Sequence, residues 1–356
     1  MNYLNKLFVV LLIITNTIQP FVSYYLLKKG DNYILILGDK HFDRSCENNI
    51  EKLNSYHAHQ FIELINTHKV KQKIPFILEC GCNTKEALTY SKLSKHVTFD
   101  LLSKFCNTAI FNLIEYDPRG AITIYSNLTC IKLGNFCAGK QPEEIFDFEA
   151  FKKKLTISTN VTIENYFKYL DENIIEINGW IKNYDETSQI YVKLRELLDQ
   201  YQTLVSNTKE SYKNIASTTN LSLFFLNQLK NCKTIHDVNQ LNLLRNFLFH
   251  DAKFADIGFL HKLLQSTSNS PKTLFVAGNV HARNTAHILS EIGYEVIAHK
   301  SIEPDFSEEK LQHFIDNLLK IVDLFMRVNN ICSTRFKIDA DTFYVTIHTQ
   351  DCQCNN

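Results

Sequence analysis

Apolar residues arrive along this chain in short unbroken runs near its two ends and at three- and four-residue steps through its middle. A short apolar run bounded by turn formers reads as a buried strand, whereas three- and four-residue steps read as amphipathic helix. On that basis residues 24–37 supply a first strand, followed by strands over Pro75–Leu78, Ala109–Glu115, Leu274–Ala277, Tyr294–Ala298 and Phe343–Ile347. Helices are expected over Arg44–Thr67, from Thr84 through Lys95, over Asp237–Leu264, over Ala286–Glu291 and over Glu308–Arg327. Strand and helix alternate at both ends of the chain, which argues for parallel strands with helices packed on them. The expected fold class is therefore α/β, with a mixed central sheet, flanking helices and a helical insertion.

The insertion is marked by a change of composition. From 141 to about 236 the chain turns to Lys, Asn, Glu, Thr and Tyr, glycine almost disappears, and Ile190, Leu194, Leu197, Tyr201 and Leu204 keep a helical step. This divides the chain into a first α/β half at 24–140, the helical insertion at 141–236, a second α/β half at 237–349 and a Cys-containing tail at 350–356.

Residues 1–23 read as a signal peptide. Lys6 gives the positive start, Leu7–Ile14 the apolar stretch, and Ser23 a small residue for cleavage. The apolar stretch is too short to span a bilayer comfortably, so membrane contact is expected only through this segment and the mature chain is expected to be exported. Ten cysteines fit an oxidising compartment, as disulfides or as idle thiols. Lys plus Arg and Asp plus Glu both number 38, which leaves no basic surplus to neutralise phosphates and excludes nucleic acid as the expected partner.

Candidate chemistry gathers where strands end. Two apolar strands finish in Gly-x-x-His, as Gly38-Asp39-Lys40-His41 and Gly278-Asn279-Val280-His281, and a third finishes in Glu79. If those strands run parallel in one sheet, His41, Glu79 and His281 share its carboxyl edge, the place where α/β sheets present ligands. Imidazole and carboxylate together can activate water near neutral pH, and two His with a Glu also suit a divalent metal. Gly38 and Gly278 are expected to let the backbone turn sharply and leave room beside the histidines. Asp117-Pro118-Arg119-Gly120 is turn chemistry, and at a strand end it is equally an acid and a cation facing the crevice. Arg245, Asn246 and His250 sit together on one helix; taken alone they are ordinary polar residues, as are His57 and His59, two apart and so aimed in different directions.

These motifs, with Leu289 and Gly293-Tyr294-Glu295-Val296 downstream, resemble the superfamily of erythromycin esterase, TraB, ChaN and Tiki proteins. The resemblance covers about 31–120 and 237–298 and omits the helical middle. It places Gly38, His41, Glu79, Arg245, Asn246, Gly278 and His281 at the family's motif positions and Asp117 at an acidic one. It implies a hydrolase in which Glu79 and one of His41 and His281 activate water, the other His or a bound Mn, Co or Zn ion stabilises the developing oxyanion, and Arg245 with Asn246 orients a small-molecule or peptide substrate. Gly38, Asp39, Asp117, Arg119 and Gly278 would line that substrate's site. The same family implies two alternatives: a haem- or small-ligand-binding protein of the ChaN type, and a catalytically degenerate interaction protein.

Overall fold

The computed structural model describes residues 21–39, 60, 61, 63–70, 72–79, 109–119, 143–154, 162–301, 308–328, 334–338 and 345–349. The helix expected from Thr84 to Lys95, His57, His59 and residues 1–20 lie outside them, and of the helix expected over Arg44–Thr67 the described residues between 60 and 66 are helical. Among the described residues no helix is long and apolar enough to cross a membrane. The described chain forms two compact bodies, one built on a sheet and one built of helices.

The sheet body opens with β1 (Phe21–Lys29) and β2 (Asn32–Asp39), an antiparallel pair. The single strand expected over 24–37 is thus two strands. Gly30, at φ +59°, makes the reversal with Asp31, because a two-residue hairpin turn needs positive φ that glycine adopts without steric cost. The boundary expected at residue 23 falls inside β1, since Phe21, Val22 and Ser23 are all buried strand residues.

β3 (Ile74–Leu78), β4 (Phe111–Glu115), β5 (Lys272–Gly278) and β6 (Glu295–Ser301) complete a six-stranded sheet in the order β4-β3-β5-β2-β1-β6. β4, β3, β5 and β2 run parallel, and β1 is antiparallel to both neighbours, so the sheet is mixed. The register sets Asp39 beside Gly278 and Leu78 beside both Val276 and Glu115, which brings the ends of β2, β5, β3 and β4 to one edge.

The central strands are buried along almost their whole length, which is why they read as apolar runs and not as alternation. One face carries Tyr24, Leu26, Leu35, Leu37, Leu274 and Val276 in a cluster with Phe314, Leu318, Ile321 and Phe325 of α8 (Glu308–Arg327). Those α8 positions fall at three- and four-residue steps, the stripe a helix needs to cover a sheet. α7 (Asn279–Glu291) packs against β1, β2 and β5. Its start differs from expectation: the helix begins directly after β5, not at Ala286. A separate antiparallel pair, β7 (Thr334–Ile338) with β8 (Val345–Thr349), contains part of the last expected strand and adds a partner that the sequence did not announce.

The helical body runs through the described residues from Asp117 to Phe259, wider than 141–236. It holds α1 (Phe148–Lys154), α2 (Ile163–Ile181), α3 (Gln189–Ser211), α4 (Leu221–Leu229), α5 (Ile235–Asn239) and the first part of α6 (Asn242–Thr267). The single helix expected over Asp237–Leu264 is therefore two. Local chemistry sets the starts: Thr162 and Thr234 form capping boxes with Asn165 and Asp237, and Ser188 and Asn220 cap α3 and α4. Its interior carries polar groups as well as apolar ones. His250, fully buried, bonds the Tyr166 hydroxyl at 2.9 Å, and the Thr208 hydroxyl lies 3.4 Å from its other nitrogen. Burial pushes this imidazole down to about 4.

Candidate active site

The carboxyl edge of the sheet is where the expected residues can be tested. β3 ends at Leu78, and the next residue, Glu79, is held in line by its N–H donating to the Val276 carbonyl at 2.9 Å. Its carboxylate is 5% exposed and reaches across to the junction of β5 and α7. There the Gly278 N–H donates to Glu79 Oε2 at 2.6 Å. The second oxygen, Oε1, lies 3.8 Å from Nε2 of His281, which is itself buried. That distance suits charge attraction or one bridging water and is too long for a direct hydrogen bond.

The Gly-x-x-His spacing now has a physical reason. Gly278 is the N-cap of α7 and His281 the third residue of its first turn. Residues three apart on a helix share a face, so one carboxylate can address both. Gly278 has no side chain to cap the helix, and its φ of −54° is one that any residue adopts; the sharp-turn role expected of it is therefore absent. Glu79 supplies a negative charge at the N-terminus from another strand, where unsatisfied N–H groups and the helix dipole favour it. Buried carboxylates are costly without such partners.

Gly38 also differs from expectation. Its backbone is not in the left-handed region, so it provides no special turn. It provides closeness instead: a Cβ there would lie 2.3 Å from Ser23 Oγ and 2.7 Å from Asn279 Oδ1. Those two atoms are joined by a hydrogen bond of 2.5 Å, with the serine donating. Neither Ser23 nor Asn279 stood out in the sequence as a site residue. Asn279 is an unremarked x of the Gly-x-x-His pattern, and Ser23 reads as part of a leader. Asp39, buried at the end of β2, lies in register with Gly278.

His41 lies outside the described residues. Asp117 and Arg119 belong to the helical body and form a two-pronged ion pair, with Nε and Nη2 of Arg119 donating to the two carboxylate oxygens at 2.8 and 2.9 Å. The Arg119 N–H also donates to Asp117, at 2.9 Å, which makes the segment a locally closed turn. Arg245 and Asn246 lie on α6 within the helical body; Asn246 is half-buried and the side chain of Arg245 is outside the described residues.

A divalent ion in a catalytic site of this ligand type needs three protein donors. Glu79 and His281 are two, and among the described residues no group of three or more His, Cys, Asp or Glu is placed to hold an ion. The described residues thus do not make up a metal site by themselves. Cys232 is a free thiol whose pKa burial raises, and the other nine cysteines lie outside the described residues.

Comparison with protein-family models, with curated proteins and with solved structures returns no match for this chain.

Proposed function

We propose that the chain is an exported hydrolase of the erythromycin esterase, TraB and Tiki type, with Glu79 and His281 as its water-activating pair. The observation that carries this reading is the buried carboxylate with one oxygen committed to the Gly278 N–H and the other 3.8 Å from an imidazole nitrogen. A gap of that size is spanned by one water bonded to both groups. In the reaction His281 takes a proton from that water while Glu79 steadies the imidazolium that forms. The hydroxide oxygen bonds to the substrate's carbonyl carbon, the carbon–oxygen or carbon–nitrogen bond to the leaving group breaks, and the imidazolium returns its proton to that group. An imidazole suits both halves, because it can accept a proton and give it back while the neighbouring carboxylate fixes its orientation. His41, Arg245 and Asn246 enter on the sequence resemblance, as oxyanion and substrate contacts.

The test is hydrolysis of a panel of carboxylic esters, a macrolide lactone and short peptides by the purified full-length chain, with metal content measured on the same sample. Glu79→Gln and His281→Ala are each expected to lower kcat by about 10² to 10⁴, the usual worth of a positioned acid or base. Turnover that survives both substitutions overturns the proposal. Absence of any turnover, with a Soret band on haem addition that His281→Ala abolishes, would replace it with the ligand-binding alternative.

A further inference from the structure

We infer that Ser23 and Asn279 are positioning residues that hold the first turn of α7, and with it His281, against Glu79. The inference rests on the His281–Glu79 reading of the site and adds to it two residues from outside the Gly, His and Glu motif positions.

β1 runs against its neighbours, so its beginning lies at the edge where β2 and β5 end: Phe21 is in register with Asp39 and Ser23 with Gly38. The register shifts between Phe21 and Ser23, a bulge of the kind that re-aims a side chain at a sheet edge. The re-aimed residue is Ser23, fully buried, whose hydroxyl donates to the Asn279 side chain. Asn279 is the first residue of α7 and follows the last residue of β5 with no loop between them. A small roll of that first turn would therefore carry His281 directly. The turn is held on one side by Glu79 at the Gly278 N–H and on the other by Ser23 at Asn279. Gly38 fits this arrangement because any side chain there would enter the space of the Ser23–Asn279 bond. Two residues along β1 from Ser23, the Tyr25 ring stacks on His299 of β6 at 4.9 Å, which ties the start of β1 to the neighbouring strand.

A consequence reaches back to the N-terminal segment. Cleavage immediately after Ser23 would remove the donor and the bulged start of β1. A processed chain with a working site is therefore cut upstream of Phe21.

Ring ¹H–¹⁵N spectra of histidine-labelled full-length protein, with His281 assigned by its absence in His281→Gln, read which imidazole nitrogen carries the proton. The water between Oε1 and Nε2 donates to both, which leaves Nε2 an acceptor, so the wild type is expected to show one dominant tautomer, with the proton on Nδ1. Ser23→Ala and Asn279→Leu are expected to give a mixture of tautomers, and Asn279→Asp, which keeps the acceptor oxygen, to restore the single form. Ser23→Ala removes only a hydroxyl and serves if Asn279→Leu does not fold. Wild-type spectra in both Ser23→Ala and Asn279→Leu would overturn the inference and leave the pair intact. An unchanged tautomer in Glu79→Gln would overturn the pair itself. N-terminal sequencing of the chain recovered from an exporting host is expected to find Ser23 retained; a mature chain beginning at Tyr24 overturns the positioning role.

Discussion

Replacing a helical glycine by alanine normally stabilises a protein, and two glycines of the helical body are expected to respond with opposite sign. Gly258 lies within α6, where alanine carries an intrinsic advantage of about 1 kcal/mol. A Cβ at this position would stand 2.6 Å from both Cβ and Cγ of Pro118 and 3.1 Å from a ring carbon of Trp180. Carbon atoms rest about 3.5 to 4.0 Å apart, so the proline contacts are overlaps of roughly 1 Å. Pro118 cannot swing aside as a long side chain would, because its ring is part of the backbone and the turn is closed by the Asp117–Arg119 pair. Overpacking of this kind costs about 1 to 3 kcal/mol and at times more, and here the upper part of that range applies. Subtracting the helix advantage leaves a net loss of about 2 kcal/mol. A Cβ at Gly179, in the last turns of α2, would meet nothing within 4 Å, so Gly179→Ala keeps the advantage and should gain about 0.5 to 1 kcal/mol. Trp180 is the chain's one tryptophan and stacks on Phe254 at 5.5 Å, so urea unfolding followed by its fluorescence reads this packing directly. The Gly258→Ala midpoint should fall by on the order of 1 M urea. A Gly258→Ala protein as stable as the wild type, or more stable, would refute the close packing of Pro118 on α6.

Three further outcomes are expected. His250 is held near 4 by burial against an unfolded value near 6.5, so the unfolded chain binds the extra proton first; stability is fully present above about 6.5 and is lost as the pH falls toward 4, by up to about 3 kcal/mol. Melts between pH 7 and 4 should show that slope, and His250→Gln should flatten it. His261, buried on the part of α6 that belongs to the sheet body, is also pushed down to about 4, by burial and by Lys262, so His261→Gln should flatten a second portion of the same slope. Lys272, at the start of β5, is buried, donates to the Met326 carbonyl at 2.7 Å and is pushed down to about 8 by burial; Lys272→Met should cost no more than about 1 kcal/mol at pH 7, because removing a desolvated charge offsets the lost hydrogen bond, and a larger drop in thermal stability would contradict this.

What the sequence discloses about this fold follows how local the governing interaction is. β2, β3 and β5 are legible because a strand buried on both faces must be apolar throughout, and Leu35, Ile77 and Phe275 announce that without help from elsewhere. The helical middle is legible for a similar reason, since the step of Leu194, Leu197 and Tyr201, which buries one face of α3, is set within a few turns of chain. β1 is obscured because an apolar strand and the end of an export signal obey the same composition rule, and only pairing with β2 and β6 separates them. The Asp117–Arg119 segment stays open in the sequence between turn and crevice. The structure shows the two side chains closing on each other, with Pro118 seated against Gly258.

The candidate site is legible only in part, and α7 explains why. Its start is hidden because no Ser, Thr, Asp or Asn side chain caps it. The charge that stabilises its N-terminus comes from Glu79, 199 positions earlier in the chain. A cap supplied from another strand leaves no local pattern, so the sequence places the start of the helix at Ala286, beyond His281. Once the helix begins at Asn279, the three-residue spacing from Gly278 to His281 becomes a statement about one helical face, and Glu79 is the group that face meets. The same non-local logic hides Ser23 and Asn279: their bond spans 256 positions, and its one trace in the sequence is the absence of a side chain at Gly38. A glycine whose φ any residue could adopt is informative for that reason, because what it excludes is a contact and not a conformation.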